Sequence, residues 1–275
     1  MALNKRKSLV NNQIQIPDNP LEEMIATLNL DSAGGARTRE DIFIGPSQWM
    51  PHGRVFGGQV LAQCVVAASR TVATERRIHS LHGYFLRPGD PNVPILYEVD
   101  RLRDGKSFST RRVVAIQHGE VIFNLQASFQ KIESGLEYHI TMDPTTPPPE
   151  SLPDYKTRME PYKELLGEWY DRPRPIDQRY VDGDPFSRKG NPRPGQRVWI
   201  RADGTLPNDP VLHSCILTYA SDMTLLDTAL MPHGVGWSDG SVQMASLDHA
   251  MWFHRPFRAD DWHLYDQRAL STSHA

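Results

Sequence analysis

His79-Ser80-Leu81-His82-Gly83-Tyr84-Phe85-Leu86-Arg87-Pro88 is answered 168 residues later by Leu247-Asp248-His249-Ala250-Met251-Trp252-Phe253-His254-Arg255-Pro256. Without a gap, that offset superposes Phe85, Arg87, Pro88, Leu96, Tyr97 and Leu102 on Phe253, Arg255, Pro256, Leu264, Tyr265 and Leu270, six identities in 18 positions. A helical apolar stripe precedes each copy. In the first, Gly57-Gly58 opens a run with Val60, Leu61, Cys64, Val65, Ala68 and Val72; in the second, Leu212, Cys215, Ile216, Tyr219, Met223 and Leu226 keep the same period. The first copy then reads as strands over 78–87, 94–102, 107–117 and 120–130, with Asp104-Gly105 and His118-Gly119 as tight hairpin turns. The second resumes with a strand over 243–257. One helix followed by an antiparallel meander, used twice, predicts a duplicated α+β fold.

Proline marks where the copies join. Eleven of the 22 prolines lie between Leu136 and Gly195, among them Pro147-Pro148-Pro149, and each removes a backbone donor and fixes φ. The span reads as a long connection with one short helix over 160–170. The expected organisation is a tail at 1–19, a first repeat at 20–135, the connection at 136–195 and a second repeat at 196–275. After Leu102 the first copy runs through two more strands, whereas five residues follow Leu270, so the second copy is expected to be shortened at its C-terminus.

Composition narrows the function. With 30 Lys plus Arg against 33 Asp plus Glu, the net charge is -3, which argues against a field able to hold nucleic acid. The longest apolar run, Cys64 to Ala68, is far too short for membrane insertion, and no apolar core follows the basic Lys5-Arg6-Lys7 to make a secretory signal. Two cysteines, Cys64 and Cys215, both in helical apolar runs, argue against a disulfide scaffold and for a reducing compartment.

Two familiar patterns fail on context. Gly236-Trp237-Ser238-Asp239-Gly240 has the spacing of a serine-hydrolase elbow, but a helix precedes it and a strand follows, the reverse of what the elbow needs. Gly105-Lys106-Ser107 lacks the first glycine of a phosphate loop. No metal is expected: on a strand His249 and His254 point to opposite faces, and Asp248 and His254 lie roughly 20 Å apart. His79 and His82 also fall on opposite faces by alternation. On the second helix Asp222 sits at one margin of the apolar stripe and Asp227 at the other, and geometry alone does not choose between them.

Taken together, Val55-Phe56-Gly57-Gly58-Gln59-Val60, the stretch from His79 to Asp90, Leu102-Arg103-Asp104-Gly105-Lys106-Ser107-Phe108, Tyr219-Ala220-Ser221-Asp222 and the stretch from Ser246 to Phe257 resemble the acyl-CoA thioesterase II family. The resemblance spans about Pro20 to Ala275 and implies a double hot-dog fold, two tandem repeats of a long helix wrapped by an antiparallel sheet. It implies hydrolysis of fatty acyl-CoA to free acid and coenzyme A by direct water attack, with no cofactor. Carried over residue by residue, it places the catalytic aspartate at Asp222 and the hydroxyl at Ser246, with a third member, a glutamine, expected beyond Ala275. In the first repeat Gln126 and Ile78 stand at the corresponding places. Gly57, Gly58 and Gln59 are candidate oxyanion donors from a helix start, glycine allowing close approach. His79 is a candidate substrate contact, and Arg87, Arg103 and Lys106 are candidates for the nucleotide phosphates. The family's habit implies a homo-oligomer, and its location is expected to be cytoplasmic, or peroxisomal if an address lies at the true C-terminus. The rival readings are an enoyl-CoA hydratase on the same fold, which would need a helix-borne Asp-His arrangement, and a non-catalytic acyl-CoA-binding module.

Overall fold

The computed structural model describes residues 19–32, 40–48, 53–183, 186, 190–236 and 242–273. Helix α1 (Pro20–Leu28) starts on Asn19, whose side chain accepts from the Leu21 and Glu22 N–H groups while Pro20 takes the first helical position. Two strands the sequence reading did not anticipate follow, β1 (Asp31–Ser32) and β2 (Glu40–Gly45). Helix α2 (Gly57–Ser69) is buried over the whole run from Gly58 to Ala68. A helix buried on every side must be wrapped, and the wrapping comes from β3 (Arg76–Phe85), β4 (Ile95–Asp104), β5 (Phe108–Gln117) and β6 (Glu120–Lys131). Their inward positions alternate with less buried ones: Ile95, Tyr97 and Val99 on β4, Val113 and Ala115 on β5, Phe123, Leu125, Ala127 and Phe129 on β6. The β5–β6 turn has φ of 52° at His118 and 76° at Gly119, both positive as a two-residue hairpin requires.

The connection folds over the surface in short pieces rather than as one helix. Residues 155–171 form α3 (Tyr155–Met159), a 3-10 turn at Glu160–Tyr162, α4 (Lys163–Leu166) and α5 (Glu168–Asp171). Pro161 and Gly167, whose φ is 53°, interrupt what the sequence suggests as a single helix over 160–170. Strand β7 (Ile176–Tyr180) also lies inside this span and pairs with β8 (Gly195–Ala202).

The second repeat continues through α6 (Pro210–Ser221), α7 (Leu225–Leu230), β9 (Asp248–Trp252) and β10 (His263–Arg268). The helix expected to run past Leu226 stops at Asp222. There a carbonyl of its last turn meets a side chain instead: Tyr265 donates its hydroxyl to Ser221 O at 3.0 Å, while just beyond, at the N-cap of α7, Gln196 Nε2 donates to Thr224 O at 3.3 Å. The strand expected over 243–257 is confined to Asp248–Trp252.

The sheets make the duplication visible. One has the order β1-β2-β4-β5-β6-β3-β9 and the other β10-β8-β7. In both repeats the strand before the central helix pairs antiparallel with the second strand after it, β2 with β4 and β8 with β10. Strand β9 leaves its own repeat's sheet and extends the first one beside β3, with Ser80 opposite Trp252, His82 opposite Ala250 and Tyr84 opposite Asp248. Helices α2 and α6 pack against each other beneath this joint.

Candidate active site

The two central helices run antiparallel, so the start of α2 meets the end of α6. Gly58 lies so close to α6 that a Cβ there would stand 2.5 Å from Tyr219 O, and a Cβ on Gly57 would stand 2.8 Å from Asp222 Oδ2. Glycine at both positions is what permits the approach. Asp222 is the C-cap residue of α6, with a side chain 9% exposed. A carboxylate is disfavoured at the negative end of its own helix, but here it lies against the positive end of α2, which favours it.

The two helix starts differ in how they are finished. At α6 the Asp209 carboxylate accepts from the Val211 and Leu212 N–H groups, a full cap. At α2 the N-cap residue is Phe56, which offers no side-chain acceptor. The Gln59 N–H is taken by Phe56 O at 3.1 Å, leaving the Gly57 and Gly58 N–H groups without a hydrogen-bond acceptor among the described residues. Uncapped N–H groups at a helix start are ready donors for a developing oxyanion.

The Gln59 side chain is occupied elsewhere. It accepts from Gln48 N at 3.0 Å and donates to Pro46 O at 2.9 Å and Gln63 Oε1 at 3.1 Å, while Gln63 donates to Thr27 O and accepts from Tyr97 Oη. This network fixes the segment ahead of α2. Gln48 in turn accepts from the Tyr219 hydroxyl at 3.2 Å. Phe56 packs edge-on against Tyr219 at 4.9 Å, and Phe85, whose ring is paired with Phe123 at 4.7 Å, closes on Gly57. The walls beside Asp222 are therefore aromatic.

Facing Asp222 is a residue that the sequence reading weighed only as a metal ligand. His249, on the inward face of β9 and 5% exposed, places Nδ1 3.7 Å from Asp222 Oδ1 and Nε2 3.0 Å from Ser221 Oγ. Tyr265 approaches from β10, and burial together with the Asp222 charge pushes its phenol up to about 12. The signal for His249 was present in the repeat: the offset of 168 superposes it on Leu81, a core position 3% exposed, so a polar ring was due to be buried there.

None of the remaining candidates is hydrogen-bonded to Asp222 among the described residues. Ser246 is half-buried three residues before His249, ahead of β9, and makes no hydrogen bond among the described residues. His79 is four positions along β3 from Gly83, the residue opposite His249, and hydrogen-bonds Ser128 Oγ at 2.8 Å; burial lowers its pKa. A β-bulge between Ile78 and Ser80 breaks strict alternation, so His79 reaches the same outer face as His82, not the opposite one. Arg87 lies two residues past Phe85, at the Asp222 end of the sheet, paired to Glu120 at 2.9 Å. Arg103 and Lys106 belong to the β4–β5 hairpin at the far end. Ser238 falls outside the described residues. Among the described residues no group of three or more His, Cys, Asp or Glu could hold a metal, and no helix is long and apolar enough to cross a membrane.

The chain is similar to known proteins over most of its length. Residues 176–275 match the model of the acyl-CoA thioesterase family, and residues 45–130 match that of the acyl-CoA thioesterase N-terminal domain. Acyl-coenzyme A thioesterase 8 of Homo sapiens is 43% identical over 238 residues, covering 82% of this chain and 74% of that one. The crystal structure of acyl-CoA thioesterase II TesB2 from Mycobacterium marinum superposes with a TM-score of 0.72 at 42% identity, covering 91% of this chain and 87% of the other. A hot-dog-fold protein of unknown function from Alicyclobacillus acidocaldarius shares the fold at 18% identity, with a TM-score of 0.65 over 85% of this chain and 79% of that one. The architecture is an α+β double hot-dog.

Proposed function

We propose, since this chain belongs to the acyl-CoA thioesterase II family, that it hydrolyses fatty acyl-CoA by direct attack of water, with Asp222 as general base. The observation that carries the reading is the meeting of the Asp222 carboxylate with Gly57 at the uncapped start of α2. A thioester carbonyl there would point its oxygen at the Gly57 and Gly58 N–H groups, where negative charge develops. Water adds to the carbonyl carbon as Asp222 takes one of its protons. The tetrahedral intermediate then expels the thiolate, which keeps the C–S electron pair and receives the proton from Asp222. Ser246 supplies the hydroxyl that orients the water. Phe56, Phe85 and Tyr219 give the acyl and pantetheine arms an apolar wall, and of the basic candidates Arg87 is placed to meet the nucleotide end.

Location and assembly are part of the same proposal. Cys64 and Cys215 are free and buried, with thiol pKa values pushed up by burial, which suits a reducing compartment such as cytoplasm or peroxisomal matrix. Tyr84 and Trp252, 49% and 62% exposed on the outer face of β3 and β9, favour association with a second copy, which light scattering would detect.

The test is steady-state release of free thiol from saturated acyl-CoA of several chain lengths. Catalytic release supports the reading. Binding of acyl-CoA without release, or hydration of an enoyl-CoA without release, contradicts it.

A further inference from the structure

Resting on Asp222 as base, we propose that His249 is its positioning residue, holding Oδ1 so that Oδ2 is the oxygen presented to the water beside Gly57. The first copy shows what the fold alone asks for at this place: Leu81, an apolar side chain at the same inward position. Replacing leucine by imidazole in a core is costly unless both ring nitrogens are satisfied.

One nitrogen is satisfied. The Ser221 hydroxyl gives its single hydrogen to Thr218 O at 2.8 Å, so in its 3.0 Å contact with His249 it accepts, and Nε2 carries a hydrogen. That fixes the ring's orientation. The other nitrogen, Nδ1, is buried without a hydrogen-bond partner among the described residues, and it faces Asp222 Oδ1 at 3.7 Å. The gap is a few tenths of an ångström beyond a hydrogen bond, and a small rotation of the carboxylate closes it. Two bare acceptors would repel one another; with Nε2 already carrying a hydrogen, a second on Nδ1 makes the ring an imidazolium that donates to Oδ1 and leaves Asp222 an ionised carboxylate, free to accept a proton at Oδ2. The opposite carboxylate oxygen, Oδ2, lies on the Gly57 side, where the uncapped N–H groups are. His249 thus selects which oxygen takes the proton and touches no reacting atom itself. A filler role would need neither the Ser221 bond nor the alignment with Asp222.

Two substitutions separate these roles in the full chain. His249→Gln can reach Ser221 with its amide but leaves nothing at the Nδ1 position, whereas His249→Asn puts an amide there and loses Ser221. Each gives up one contact, so their thermal midpoints should agree. We expect His249→Gln to lose about 10²-fold in kcat with KM little changed, the size of effect that misplacing a reacting group produces, and His249→Asn to regain most of that loss. Equal kcat in the two variants, or a loss that follows the thermal midpoint, would overturn the role of His249. Asp222→Asn is measured beside them: if it keeps full kcat, the base assignment fails, whereas loss in Asp222→Asn with none in His249→Gln rejects the positioning role alone.

Discussion

His82 stands opposite Ala250 where β3 and β9 pair, and the two positions are 168 residues apart, the interval of the sequence repeat. On either side the pairing exchanges equivalents: Ser80 faces Trp252 and Tyr84 faces Asp248. A residue facing its own copy, flanked by such exchanges, is the mark of a two-fold axis, so the repeats associate as two subunits of a symmetric dimer would, within one chain. The joint sets two helices antiparallel beneath it and brings a carboxylate from one repeat to a helix start of the other.

The fit of β3, the strand that carries the joint, against β6 depends on Gly83. A Cβ there would stand 2.3 Å from the Phe123 ring and 2.7 Å from Asn124 O, a backbone atom that cannot step aside. Gly83→Ala should lower unfolding stability by about 1–3 kcal/mol through overpacking, read as a reduced urea midpoint. An unchanged midpoint would mean that β3 and β6 can separate at no cost.

Gly57→Ala should part activity from stability. Alanine is the better helix former by roughly 0.5–1 kcal/mol, and Gly57 shows no left-handed φ to forbid it. Its methyl would sit 2.8 Å from Asp222 Oδ2 and 3.0 Å from the Phe85 ring. The expected outcome is unchanged or raised stability, with kcat for thiol release reduced about 10²-fold. Full activity would show that the carboxylate does not need that space.

Much of this was legible in the sequence, for a physical reason. The offset of 168 survives because it is carried by strands whose register is fixed by alternating burial, and slipping one residue would turn every core side chain outward. The hairpin at His118-Gly119 was readable because its residues tolerate positive φ. What escaped was tertiary. The stripe through Met223 and Leu226 continues in helical period, yet α6 ends at Asp222, where the Tyr265 hydroxyl from β10 takes up the Ser221 carbonyl. The sequence pairs His249 with nearby His254 by spacing, whereas its structural partner, Asp222, ends a helix 27 residues earlier. His79 was misassigned to a face because a bulge leaves no mark in the period. Of the candidates the sequence put forward, Asp222 and Gly57 meet in space, and the Gln59 side chain is spent on holding the loop ahead of α2.

Charge burial gives a contrast between two arginines. Arg111, 1% exposed, donates to Thr71 Oγ1 and O, to Arg103 and Thr110 carbonyls and to Asp104. Arg111→Ala should cost about 1–3 kcal/mol, chiefly by stranding the buried Thr71 hydroxyl and carbonyl, since the carboxylate of Asp104 is half exposed. Arg101 pairs with Asp41 at the surface, and Arg101→Ala should cost about 0–1 kcal/mol. Chemical denaturation of the two variants decides; similar losses would contradict the burial argument.

Acid should weaken the fold in a window set by two histidines. Burial lowers the pKa of His79 and His213 below the usual 6.5, so the unfolded chain binds protons that the folded chain refuses. Their contribution is complete above about pH 6.5 and declines as the pH falls through that value towards the folded pKa. The urea midpoint should therefore drop between pH 7 and pH 5, and His79→Gln, which can keep a bond to Ser128, should lessen the drop. A pH-independent gap between parent and variant would contradict the assignment.

The central claim is that Asp222 takes the proton from the attacking water at the start of α2. Its direct test is the steady-state rate of thiol release from a fatty acyl-CoA by the full chain and by Asp222→Asn, which keeps the shape and removes the base. The account predicts a kcat lower by about 10²–10⁴-fold, the usual contribution of a general base, with KM close to the parent value. A variant that turns over within about threefold of the parent, far short of any general-base contribution, would contradict it.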